Sequence, residues 1–83
     1  MIATDYKAET LDGLARIIRN DWTRPYFGAV PYLDAMGTLA SIGDVYGCDD
    51  GRSIVLYFLS NATTWRGPVA REVKAELKRR MKR

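Results

Sequence analysis

Cys48 is the one cysteine of the sequence and histidine is absent. Together these remove the Ser-His-Asp and Cys-His nucleophile pairs, a His/Cys zinc site and an intramolecular disulfide. Cys48 stands beside Asp49 and Asp50, and neighbouring carboxylates raise a thiol pKa, so no reactive thiolate is expected there. Asp49-Asp50 opens like a calcium loop but lacks the alternating oxygen ligands and the closing Glu, which leaves helix capping as its better use. Asp34 and Asp44 could face each other as paired carboxylates, yet nothing in the spacing fixes their separation, and solvated surface is the default for both. Gly43, Gly47 and Gly51 lack the Gly-Lys-Ser/Thr ending and the preceding strand of a phosphate loop and read as turn residues. Asn61-Ala62-Thr63 fits the glycosylation triplet, which matters only in a secreted chain. No catalytic, metal or cofactor site is expected.

The chemistry that remains is recognition. Nine aromatics (Tyr6, Trp22, Tyr26, Phe27, Tyr32, Tyr46, Tyr57, Phe58 and Trp65) occur in 83 residues, and a core this thin holds about five of them. Tyr57 and Phe58 are assigned to the core, while some of Trp22, Tyr26, Phe27 and Trp65 are expected at the surface as a patch. Trp65 and Arg66 are adjacent residues of the types that dominate binding hot spots. The protein-binding candidates are thus Trp22, Tyr26, Phe27, Trp65 and Arg66, and self-association through the same patch is a further outcome. Charge is unevenly placed: residues 1–65 carry five cations against eight acids, residues 66–83 eight cations against two. The basic stretch supplies nucleic-acid candidates Arg71, Lys74, Lys78, Arg79, Arg80, Lys82 and Arg83, whose alternative is a plain solvated face. The acidic body opposes a polyanion, and base readout finds only Arg66 and Arg71 near a helix start, so such binding would be sequence-independent.

These side chains must be positioned by helices. Thr10 is an N-cap, and Leu11, Leu14, Ala15, Ile18 and Trp22 recur on one helical face, giving a first helix over about residues 8–22 that Pro25 forbids from continuing. Arg24-Pro25-Tyr26-Phe27-Gly28 is an aromatic connection. Pro31 suits the first turn of a second helix ending between Ser41 and Tyr46, in which Gly37 implies close approach of another backbone. Gly47 to Gly51 is a turn, with Asp49 or Asp50 capping the next element. Ser53–Leu59 is apolar enough for a buried strand, but Ile54, Tyr57, Phe58, Asn61, Ala62 and Trp65 keep helical spacing and no second strand is in prospect, so a helix is assigned. Asn61–Thr64 are capping residues for a junction, followed by a basic helix over about 66–82 with Val69, Val73, Leu77 and Met81 on its apolar edge. The fold expected is a single all-α domain of four short helices over residues 1–83, with Ile18, Leu33, Met36, Ile54, Phe58, Val73 and Leu77 in the core.

The run Tyr26-Phe27-Gly28-Ala29-Val30-Pro31-Tyr32-Leu33-Asp34-Ala35-Met36, then Gly51–Val55 with Tyr57–Gly67, and finally Ala70–Lys78, resembles a family of small hypothetical proteins of bacteriophages and integrated elements in Gram-positive bacteria. The resemblance covers about residues 11–79 and departs from the family's Gly-Glu at Gly67-Pro68. It implies a compact, non-structural phage or prophage accessory protein, and it transfers no functional residue. The longest stretch without charge, Pro or Gly, Ser53–Trp65, is too short to span about 30 Å of hydrocarbon, and the N-terminus lacks a basic region followed by an apolar one. The expectation is a cytoplasmic, non-enzymatic protein without cofactors that binds and modulates a host macromolecule, a protein first and nucleic acid as the alternative.

Overall fold

The computed structural model describes residues 5–47 and 49–82. Cys48 and Arg83 lie outside them, and with them the thiol argument for Cys48 and the phosphate-binding candidacy of Arg83. The chain forms an all-α domain whose described residues hold four α-helices: α1 (Leu11–Asp21), α2 (Val30–Met36), α3 (Gly51–Ser60) and α4 (Pro68–Met81). Short 3-10 turns, Tyr6–Ala8 and Phe27–Ala29, precede α1 and α2.

Capping chemistry explains the helix starts. The Thr10 hydroxyl accepts the Gly13 N–H, and extended backbone at Thr10 keeps residues 6–8 as a separate turn, so α1 begins at Leu11 and not near residue 8. The Asp50 carboxylate accepts the Ser53 N–H at 2.8 Å and starts α3 as the turn chemistry predicts. That bond, with the backbone of Ser53 as the main cause, holds the Asp50 carboxyl below its usual range. Ser53–Leu59 is helical throughout.

The second helix differs from expectation. It stops at Met36, with Gly37 as its C-cap and the Thr38 hydroxyl donating to Ala35 O at 2.8 Å. The following segment is needed elsewhere: Leu39 O and Ala40 O accept the Asp12 and Leu11 N–H groups, both at 2.9 Å, satisfying the first donors of α1. Gly37 meets only the carbonyls of its own helix, so the close backbone approach lies at Gly51 instead, where an added Cβ would sit 2.8 Å from Ile42 O and 2.9 Å from Ser41 O. Between these points an unforeseen two-residue antiparallel ladder forms, β1 (Val45–Tyr46) against β2 (Asp49–Asp50), with Val45 opposite Asp50 and Tyr46 opposite Asp49. Gly47 in its turn has φ +61, a conformation that favours glycine.

One hydrophobic cluster unites the helices, and all of Ile18, Leu33, Met36, Ile54, Phe58, Val73 and Leu77 are buried in it. Trp22 and Trp65 belong to it as well: their rings stack with centroids 5.9 Å apart and 14° between planes, and Phe58 meets both edge-on. The indole N–H of Trp65 donates to Asp21 Oδ2 at 2.8 Å, so its one polar atom is satisfied inside.

The termini of the described chain are tied by α4. Glu76, 5% exposed, accepts two hydrogen bonds from Arg79 and one from Arg80 Nε at 2.6 Å. Arg80 in turn donates to the backbone oxygens of Tyr6 at 2.8 Å and Glu9 at 2.7 Å. The hydrogen bond from Arg79 is the largest cause, ahead of that from Arg80, of a Glu76 pKa lowered to about 2. No helix among the described residues is long and apolar enough to cross a membrane.

Candidate functional site

Of the aromatic candidates, the structure exposes the pair between α1 and α2. Proline at 25 prevents α1 from running on, and the 3-10 turn after it is pinned by Ala29, which is fully buried and donates its N–H to Tyr26 O at 2.8 Å. With the turn anchored from below, Tyr26 and Phe27 stand outside at 46% and 79% exposure, their rings 4.8 Å apart and tilted by 53°. Gly28 permits this: a Cβ there would lie 2.6 Å from the Tyr26 ring and 2.8 Å from Asn61 Oδ1. Asn61 caps α3 by donating from Nδ2 to Tyr57 O at 2.9 Å. Tyr57, 47% exposed, faces Tyr32 of α2 with centroids 5.5 Å apart. Phe27, Tyr26, Asn61, Tyr57 and Tyr32 therefore form a connected aromatic face along the α2–α3 pair.

Three sequence expectations need correction here. Trp22 and Trp65, proposed as surface anchors, are 8% and 2% exposed and serve the core. Arg66 is exposed, but with Trp65 turned inward the two do not offer a partner an aromatic beside a guanidinium. Tyr57, assigned to the core, is half-exposed because the buried centre of α3 runs through Ile54, Val55, Phe58 and onward to Ala62 and Trp65. Tyr32 and Tyr57 were missed as candidates. The signal available was the Val55–Phe58–Ala62 spacing, which competes with Ile54–Tyr57–Asn61 for the inward direction.

The basic residues separate into two groups. Lys74 Nζ donates to Ala62 O and Trp65 O, both at 2.7 Å, and lies 5.8 Å over the Trp65 ring, closing the α3–α4 junction. Burial at this junction, followed by the nearby charges of Lys78 and Arg66, lowers its pKa. Arg79 and Arg80 are held by Glu76, and Arg80 is further engaged by the N-terminal carbonyls. Lys74 and Arg80 are thus structural, a correction to their phosphate-binding candidacy. Arg71, Lys78 and Lys82 are exposed and take part in no ion pair among the described residues.

Carboxylates do not converge. Asp34 pairs with Arg19, whereas Asp44 caps the Ala40 and Ser41 N–H groups, so the two are committed separately. Among the described residues no group of three His, Cys, Asp or Glu side chains could hold a metal ion. The chain matches no family model, no curated protein and no solved structure.

Proposed function

We propose that this protein is a non-enzymatic binding module that docks a host protein on the face formed by Tyr26, Phe27, Tyr32 and Tyr57. The observation that carries the reading is Phe27, a phenyl ring left 79% exposed on a turn anchored by the buried Ala29. Burying such a ring against a partner contributes about 1.5–3 kcal/mol. The turn is already ordered by the buried Ala29 and its N–H bond to Tyr26 O, so little conformational entropy opposes docking. Tyr26, Tyr32 and Tyr57 add amphipathic rings of the kind enriched at the centres of interfaces. The phage or mobile-element context implied by the sequence resemblance suits a small cytoplasmic accessory protein that modulates a host component.

The test is capture from host lysate with the immobilised protein, comparing wild type with Phe27→Ser and Tyr26→Ala. Both residues lie outside the core, so the variants are expected to keep the helical circular-dichroism spectrum and to lose the captured protein. Undiminished capture by a folded Phe27→Ser/Tyr26→Ala double variant rejects the face.

A further inference from the structure

The cations of α4 that the fold leaves free lie in one row. Arg71 and Lys78 are seven residues apart on the helix, with Lys74 between them at three and four residues, so the three share a face. Lys82 follows one turn later, just past the helix end. At the other end Arg66 joins them: it lines, with Arg71, Lys74, Trp65, Gly67 and Ala70, a concavity of about 210 Å³. The carboxylates of α4 are elsewhere. Glu72 and Glu76 border a different depression, shared with Asp5, Tyr6, Lys7 and Arg79.

We infer that the row Arg66, Arg71, Lys78 and Lys82 is a surface for the phosphate backbone of duplex nucleic acid, separate from the aromatic face. Arg71 to Lys78 spans about 10 Å of helix rise, close to three nucleotide steps of one duplex strand at about 3.4 Å each. Lys74 sits at the centre with two of its three protons committed to carbonyls, so it sharpens the positive potential without contributing a flexible contact. An acidic protein is the other partner such charge would attract, but protein interfaces centre on desolvated apolar anchors. This face has none: Trp65 and Ala70, its apolar lining, are 2% and 1% exposed. Phosphates need only charge. The same lack of exposed rings removes base stacking, which single strands require, and favours the higher charge density of a duplex. Four contacts give a salt slope of about −3.6, so affinity falls roughly 150-fold from 50 to 200 mM salt.

The experiment is a fluorescence-anisotropy titration of a labelled mixed-sequence 20-base-pair duplex. Wild type is expected to bind at 50 mM salt with that slope. A variant carrying Arg66→Gln, Arg71→Gln, Lys78→Gln and Lys82→Gln is expected to bind at least tenfold more weakly. A control with Lys7→Gln, Arg16→Gln, Arg19→Gln and Arg24→Gln, equal in net charge, is expected to stay within threefold of wild type. Circular dichroism verifies that both remain folded. Absence of binding at 50 mM salt, equal losses in the two variants, a preference for single strand, or tighter binding to poly-glutamate each overturn the assignment. Phe27→Ser leaves duplex affinity unchanged, so this surface and the aromatic one fail or stand independently.

Discussion

Replacing Glu76 by Gln removes one charge and keeps the shape of a side chain that is 5% exposed. In the folded protein its pKa falls from 4.5 to about 2, first through the hydrogen bond from Arg79 and, after a smaller opposing desolvation, through that from Arg80. At about 1.4 kcal/mol per pH unit that difference corresponds to roughly 3 kcal/mol. The Arg79 side chain is 55% exposed and its share is screened by water, which leaves about 2 kcal/mol at neutral pH. Because the folded value lies below the unfolded one, the unfolded chain binds more protons between them, and the stabilisation is complete above about pH 5 and lost as pH falls toward 2. In urea unfolding at pH 7 the variant midpoint is expected about 1–2 M lower than wild type, with unchanged slope. At pH 2.5 the gap shrinks to about a quarter of its neutral value. A gap that is equal at the two pH values, or absent at pH 7, refutes the account of Glu76 as the charge that holds Arg80 against the N-terminal carbonyls.

Phe58→Ala, which opens a cavity beneath both tryptophans, is expected to cost about 3–5 kcal/mol, read as loss of most or all of the cooperative thermal transition. Gly51→Ala drives a methyl into the carbonyls of Ser41 and Ile42 and is expected to cost about 1–3 kcal/mol, again measured by thermal melting. Lys74→Met leaves Ala62 O and Trp65 O without their donor and is expected to cost about 1–3 kcal/mol, whereas Lys78→Met on the solvated row stays within about 0.5 kcal/mol of wild type.

What the sequence made legible was local. Thr10 and Asp50 announce helix starts through a short polar side chain that reaches a backbone N–H three residues on, and both do so here. The helical reading of Ser53–Leu59 rests on spacing and on the lack of a partner strand, and the helix is observed with Ile54 and Phe58 buried as that spacing implies, Val55 taking the inward place expected of Tyr57. What was not legible depends on partners distant in the chain. Met36 ends α2 because Leu39 and Ala40 are drawn to the start of α1, a demand that no feature of residues 30–46 displays. Trp65 looks like a surface residue beside Arg66 until Asp21, 44 residues earlier, supplies the acceptor that lets its indole go inside. Arg80 reads as part of a basic tail although its guanidinium serves carbonyls 71 and 74 residues away. On the aromatic face, Tyr26 and Phe27 were legible because proline and glycine bracket them, while Tyr57 was misread because its helix offers two neighbouring stripes of similar apolarity.

The stack of Trp22 on Trp65 gives the molecule an optical signature of its own. These are the two tryptophans of the chain, and near-parallel indoles 5.9 Å apart couple their electronic transitions. Their near-ultraviolet ellipticity, and the coupled indole band at the long-wavelength edge of the far ultraviolet, therefore follow the stack and not helix content as such. One indole is carried by the end of α1 and the other by the α3–α4 junction, so the signal reports whether those two parts have come together. A state that kept its helices but let α1 drift from the junction would keep the helical far-ultraviolet bands and lose this signal.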